Sequence, residues 1–342
     1  MGRLLFLLLS LVASVAVSSE STSGWRATSD RSNIVQIAYD ENRLYAIEEI
    51  EGPGAAADEI YLNVLSLANP DRPTFLGKVS LPRSVQTVYA SRGRVFIMLR
   101  EESFGSGKSA LLVYDVRNPK AVRLAYEFSW EEIARVTLPQ RVDARIQVAG
   151  QRLYIGGANG LLVYDDTGVR PKLSRVIEGK ISDFAVLGTR IFYTLTMNDE
   201  HRLSIEDVTP SKIGRLGTLA LPGLCCSELR IRGNFVYLLD REMRESMAID
   251  VTSVAAPQIV HRGSTDVLGE FVPSDDMTML YTASGYEDLL IARVKYEKGK
   301  TSLVQGSTSL RVPPHGFSLI VARSRLYVAA GKLGVVVRAL KT

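Results

Sequence analysis

Seven short phrases of one kind recur along the chain: Arg43-Leu44-Tyr45, Arg94-Val95-Phe96, Arg152-Leu153-Tyr154, Arg190-Ile191-Phe192, Phe235-Val236-Tyr237, Met279-Leu280-Tyr281 and Arg325-Leu326-Tyr327. The aromatics that end them lie 38 to 58 residues apart, about 47 on average. A Gly, Asn, Gln, Thr or Ser precedes each phrase, mostly residues that tight turns favour. An apolar strand comes before each turn, such as Ile34–Tyr39 or Ile181–Leu187. Another follows a variable loop, such as Ala110–Tyr114 or Gly160–Tyr164. A more polar fourth strand, such as Thr74–Leu81, comes after a second turn. The strands are rich in Val, Ile, Leu, Tyr and Phe, and no helical period competes with them over most of the chain.

Four antiparallel strands per 40–50 residues is the period of a propeller blade. One such sheet cannot bury both faces alone, whereas radial packing buries each sheet between two neighbours. The expectation is an all-β fold: a seven-bladed β-propeller of four-stranded antiparallel blades, the last blade closed by an N-terminal strand. Residues 20–342 then form a single domain, with units of about 33–82, 83–142, 143–179, 180–223, 224–264, 265–312 and 313–342. The seventh unit ends after its third strand, and Trp25-Arg26-Ala27-Thr28, within 24–30, is extended enough to complete it. A frayed N-terminus is the competing reading.

Residues 1–19 read as a secretory signal peptide: Arg3, an apolar core from Leu4 to Val17, and small residues for cleavage. The apolar stretch is shorter than the ~20 residues that span a bilayer, which disfavours an uncleaved anchor and a membrane span in the mature chain. A secreted or periplasmic (extracellular) location is expected. The chain is 46% hydrophobic and 23% charged, the balance of a folded protein. Its net charge of +4 is spread without a basic block, so no nucleic-acid partner is expected. Two cysteines and three histidines are too few for a disulfide scaffold or a zinc ribbon.

The third strand and its turn carry a phrase best seen in Leu111-Leu112-Val113-Tyr114-Asp115-Val116-Arg117-Asn118-Pro119. Weaker copies are Gly160–Asp166, Leu203–Pro210 and Met247–Thr252. With Arg325-Leu326-Tyr327-Val328-Ala329 and Gly334-Val335-Val336-Val337, the chain resembles the LVIVD-repeat family of exported β-propellers over residues 33–340. The resemblance implies architecture and export far more than activity. Leu289–Val294 lacks the Asp of the motif. That Asp itself has a structural explanation, since at a strand end its carboxylate can accept backbone N–H groups of the turn.

Several apparent motifs dissolve on inspection. Gly105-Ser106-Gly107-Lys108-Ser109 lacks the earlier Gly of a phosphate loop and runs into a strand instead of a helix. Adjacent Cys225 and Cys226 have Cα atoms ~3.8 Å apart, too close for an unstrained disulfide. His201, His261 and His315 share no metal spacing; His315 alone stands just before an innermost strand. Two loops depart from the repeat: the acidic Glu48–Glu59 and the longer Ser129–Val142 with Trp130. Such insertions often build a binding surface, or are merely tolerated.

The more informative pattern is one polar residue per innermost strand: Gln36, Gln86, Arg145, Asp183, Glu228, Glu270 and Ser318, with His315 alongside. They are expected to ring one mouth of the central channel, with one positive and three negative charges, and to bind a small polar ligand such as a cation or polyol. The competing reading is a wet channel whose polar residues satisfy water. The function expected is a non-catalytic binding or scaffold module for a protein or cell-surface partner, with no cofactor. The alternative is a lactonase- or glycosidase-like hydrolase that uses the channel-mouth carboxylates with a divalent cation.

Overall fold

The computed structural model describes residues 23–26, 29–52, 57–82, 85–99, 109–133, 145–157, 159–166, 170–198, 200–208, 214–224, 227–240, 243–264, 271–273, 279–283, 288–297, 300–311 and 318–340. The first strand, β1 (Ser23–Trp25), stands apart from the series that follows. Blade one is β2 (Ser32–Asp40), β3 (Arg43–Glu51), β4 (Ala57–Ser66) and β5 (Thr74–Leu81). Blade two is β6 (Val85–Ser91), β7 (Arg94–Leu99), β8 (Ser109–Asp115) and β9 (Arg123–Ser129). A four-residue helix, α1 (Trp130–Ile133), follows it. Blade three is β10 (Arg145–Ala149), β11 (Arg152–Gly157), β12 (Gly160–Asp165) and β13 (Lys172–Glu178). Blade four is β14 (Lys180–Leu187), β15 (Arg190–Met197), β16 (Glu200–Asp207) and β17 (Gly214–Ala220). Blade five is β18 (Ser227–Arg232), β19 (Phe235–Asp240), β20 (Glu245–Asp250) and β21 (Gln258–Ser264). Blade six is β22 (Phe271–Pro273), β23 (Met279–Ala283), β24 (Asp288–Glu297) and β25 (Lys300–Arg311). The last strands are β26 (Leu319–Ala322), β27 (Arg325–Ala329) and β28 (Val335–Ala339).

Each blade is an antiparallel sheet in chain order, and a further four-stranded sheet has the order β1-β28-β27-β26, which makes seven sheets in all. The first strands touch in the sequence β2, β6, β10, β14, β18, β22, β26 and back to β2, which closes a ring about one axis. The expectation of seven copies of one unit takes a correction here. Six blades are complete four-strand units, and the remaining sheet is composite because the C-terminal unit supplies only β26, β27 and β28. Its fourth strand is β1, paired Ser23↔Val337, Gly24↔Val336 and Trp25↔Val335. An N-terminal strand thus closes the last sheet as expected, and its bounds share Gly24 and Trp25 with the expected stretch 24–30 while starting one residue earlier, at Ser23.

The apolar alternation of the strands becomes a series of seams between blades. Ile47, Leu62 and Val64 of blade one meet Val95, Ile97 and Leu112 of blade two. Ile34, Ala46 and Leu65 meet Tyr327, Ala329 and Val337 of the closing sheet. The repeated aromatics Tyr45, Phe96, Tyr154, Phe192 and Tyr327 are almost wholly buried. Strand-end carboxylates organise the next turn: Asp115 accepts from the Arg117 backbone N–H at 3.1 Å, and Asp250 from that of Thr252 at 2.8 Å.

Two glycines are required by close approach. A Cβ on Gly77 would stand 2.0 Å from the Pro119 carbonyl oxygen, and one on Gly217 would stand 1.8 Å from that of Val254. In both cases the outer strand of one blade lies on the turn of the next.

The Ser129–Val142 loop begins with helix α1, which carries a reciprocal N-terminal cap. The Ser129 N–H donates to Glu132 Oε2 at 2.8 Å, and the Glu132 N–H to Ser129 Oγ at 3.3 Å. Ile133 is thereby buried against Phe128 and Leu153. Residues 134–142 of that loop lie outside the described residues, as do Cys225, Cys226 and 100–108.

Candidate functional site at the inner strands

The innermost strand of a blade pairs on one side only, so its other edge leaves N–H and C=O groups unpaired. Three of the ring residues, Gln36, Gln86 and Asp183, sit at or beside a departure from regular pairing on that strand, whereas Arg145 and Glu228 pair regularly. An extra residue enters β2 between Ile34 and Gln36, β6 between Val85 and Thr87, and β14 between Ile181 and Phe184. Such bulges re-aim side chains. Gln36 donates its amide to the Gln86 carbonyl oxygen in the next blade. Ser318, just before β26, donates to the Ile37 carbonyl at 3.3 Å. Gln147 bridges to β14, donating to the Val186 carbonyl at 3.2 Å and accepting from its N–H at 2.7 Å. Polar side chains of the inner strands thus bridge blade one to blade two, blade three to blade four and the closing sheet to blade one.

The densest part of the ring joins blades three, four and five. Asp183 is 3% exposed, and four donors converge on its carboxylate. Oδ1 accepts from the Phe184 N–H at 2.8 Å and faces Arg145 Nε at 2.9 Å. Oδ2 accepts from the Leu229 N–H at 2.6 Å and faces Arg230 Nη1 at 3.4 Å. Glu228 Oε2 lies 3.6 Å from both Arg145 Nη2 and Arg230 Nη2. Burial pushes the Asp183 carboxyl above its ordinary value, while Arg145, Arg230 and the two backbone N–H groups pull the other way. The main chain of Asp183 is held as well, its N–H donating to Thr194 Oγ1 at 3.1 Å.

Of the eight expected residues, the structure brings Arg145, Asp183 and Glu228 into one cluster and links Gln36 to Gln86. Ser318 stands apart on the closing sheet, and Glu270 and His315 lie outside the described residues. Arg230 completes the cluster and was missed by the sequence reading, although it lies two residues after Glu228 and so projects from the same face of β18. It makes the cluster two cations and two carboxylates, where one cation had been expected. Among the described residues no group of three His, Cys, Asp or Glu side chains could hold a metal ion.

A second set of residues was also missed. In three of the repeated phrases the opening Arg clamps the following blade, whereas Arg152 pairs with Asp165 inside its own blade. Arg43 donates to the Val116 and Arg117 carbonyls, Arg94 Nη1 meets both oxygens of Asp166 at 2.9 and 2.7 Å, and Arg325 holds Asp71 at 2.6 and 3.1 Å. The last of these spans the seam where the ring closes. Its signal was the recurrence of Arg immediately after the turn in five of the seven phrases.

No family model and no curated protein matches the chain. Solved structures do match, and they show the class of protein. The periplasmic gluconolactonase PpgL of Pseudomonas aeruginosa is similar with a TM-score of 0.61 and 15% identity, over 86% of this chain and 88% of PpgL. BamB of Moraxella catarrhalis is similar with a TM-score of 0.52 and 13% identity, over 88% of this chain and 80% of BamB. PorZ, a surface component of the type-IX secretion system of Porphyromonas gingivalis, has a TM-score of 0.53 and 15% identity over 94% of this chain; the match spans only 38% of PorZ. At these identities the likeness establishes the fold, a β-propeller. Among the described residues no helix is long and apolar enough to cross a membrane.

Proposed function

We propose that the chain is an exported, non-catalytic propeller of the LVIVD-repeat kind that presents its loops and channel mouth to a protein partner. The observation that carries this reading is the state of the channel carboxylates. Asp183 has four donors on its two oxygens, and Glu228 faces two guanidinium groups. A general acid or base needs an open path to a substrate proton, and a hard-cation site needs several free oxygens. The inner-strand amides are engaged likewise with neighbouring backbone. Export and a periplasmic or surface location rest on the N-terminal apolar segment, and a periplasmic and a surface propeller among the similar structures are in keeping with them.

One observation favours the hydrolase alternative: two carboxylates, Asp183 and Glu228, do share one cluster, and a gluconolactonase has the same fold. Assay of the purified chain against lactones and aryl glycosides, with and without Ca²⁺, separates the two readings. Turnover at the buffer rate is expected. Turnover above it that disappears in Asp183→Asn would establish the hydrolase and overturn the binding reading. A photo-crosslinking residue placed at Glu51 and at Glu131, in cells that make the full chain, is expected to trap one discrete protein. Absence of any discrete adduct from either position counts against a protein partner.

A further inference from the structure

The seam between blade one and the closing sheet contains a buried carboxylate whose charge nothing nearby matches. Glu48 on β3 is 1% exposed. Its Oε2 accepts from Asn63 Nδ2 at 2.9 Å, and Asn63 is equally buried. Its Oε1 is buried without a partner, and so is the hydroxyl of Ser32, itself fully buried. The strand register sets all three on one face. Ile34 pairs with Glu48 and Ser32 with Ile50, while Ala46 pairs with Asn63, with no bulge between these pairs. That face is the one whose Ile34 and Ala46 pack against Ala329 and Val335 of the closing sheet. Ile34 and Gly331 also exchange backbone hydrogen bonds of 3.0 and 3.1 Å across the seam.

Among the described residues no Lys, Arg or His forms an ion pair with Glu48. The nearby Lys332 pairs instead with Glu51, at 3.5 Å and near the surface. An ionised carboxylate out of water with one neutral amide donor carries a cost of several kcal/mol, relieved either by a proton or by a counter-charge, and the two are told apart because only the second makes stability depend on the cation supplied. A buried water would satisfy the orphan hydrogen-bonding atoms but would leave the charge unmatched.

We propose that Glu48 Oε1 and Ser32 Oγ are ligands of a small monovalent alkali cation held in the seam that closes the ring. The single buried negative charge sets the valence, because a divalent ion would leave a net positive charge in the same place. The donors are hard oxygens, as alkali ions require. A cation there would favour the closed ring over any state in which the closing sheet parts from blade one.

Thermal unfolding of the full chain in sodium, potassium and choline chloride at equal ionic strength tests the site. One alkali salt should raise the midpoint above choline, by about 3 °C for each tenfold increase in concentration beyond its Kd. Glu48→Gln, which keeps the shape and removes the charge, should unfold at the same midpoint in all three salts. Ser32→Ala keeps the charge and should need more of the alkali ion for the same rise, which retains a readout if the Glu48 variant does not fold. Crystals soaked in a rubidium salt should show an anomalous peak beside Glu48 Oε1. Equal midpoints for the unmodified chain in all three salts, an ion-specific rise that survives Glu48→Gln, or, where potassium is the stabilising ion, a rubidium-soaked crystal with no peak at Glu48 would each overturn the assignment.

Discussion

Strand β17 contains two glycines three residues apart that meet opposite surroundings, and replacing each with alanine isolates the packing of blade on blade. At Gly217 a Cβ would be 1.8 Å from the Val254 carbonyl oxygen and 3.0 Å from its carbon. Real Cβ contacts stay beyond 3.0 Å, so more than an ångström of separation must open between the outer strand of blade four and the turn 252–256 of blade five. Both partners are backbone, so no side chain can swing away. Overpacking of this kind costs about 1–3 kcal/mol, and the rigid backbone contact places Gly217→Ala at the upper end. At Gly214 nothing lies within 4 Å, and the residue is exposed. Gly214→Ala should therefore change stability by no more than about 0.5 kcal/mol. At about 2–4 °C per kcal/mol, Gly217→Ala should lower the midpoint of thermal unfolding by roughly 6–12 °C, and Gly214→Ala by less than about 2 °C. Urea denaturation of the same variants gives the free energies directly. Equal effects at the two positions would refute the account of how blade four rests on blade five.

Other consequences follow from the clamps and the buried ring of phenols. Arg94→Ala and Asp166→Ala should each destabilise by about 2–3 kcal/mol, since Arg94 Nη1 reaches both carboxylate oxygens and the pair is mostly buried, and the double variant should cost much less than the sum; additive losses in a urea-denaturation cycle would contradict the clamp. Arg117 holds the Asp115 carboxyl well below the usual carboxylate range, and Arg325 lowers that of Asp71. Both folded values lie under the unfolded one, so their stabilisation is fully present above about pH 4 and is lost progressively as pH falls from there through the folded values. The midpoint of thermal unfolding should therefore drop between about pH 4 and pH 2, and less steeply in Asp115→Asn; an identical slope in that variant would sink the assignment. Burial pushes the Tyr45, Tyr126 and Tyr327 hydroxyls up to about 12. These folded values exceed the ordinary 10, so their contribution is intact below pH 10 and disappears as pH rises through 12. Absorbance at 295 nm should show a late-ionising class of tyrosines, and a single transition near pH 10 in the folded protein would contradict it.

The architecture was legible because each strand carries its own pattern. The period-two alternation, the turn residue and the aromatic of phrases such as Arg152-Leu153-Tyr154 are local, and radial packing follows from them. Residue roles were less legible because they depend on which blade comes next. Asp183 reads as one polar residue in an apolar strand, yet its partners Arg145 and Leu229 lie in the blades on either side. Gln36 reads as channel polarity, whereas an inner-strand bulge turns it onto the backbone of blade two. The Arg that opens five of the phrases was visible as a repeat, but the targets of Arg43 and Arg94, 74 and 72 residues further on in the following blade, were not. Glu48 was read only as the start of an acidic loop; pairing with β2 and β4 places it inside the seam.

Closure of the ring by β1 is the feature on which the whole arrangement rests, and hydrogen exchange at β28 reports on it most directly. Val335, Val336 and Val337 pair with Trp25, Gly24 and Ser23 on one side and with Ala329, Val328 and Tyr327 on the other. Exchange measured by mass spectrometry on peptides covering 333–340 should be slow in the chain that retains β1. Removal of the residues up to Arg26 should speed it at least tenfold in those peptides, with little change in 94–99 of blade two. Unchanged exchange at 333–340 after that truncation would contradict a composite closing sheet.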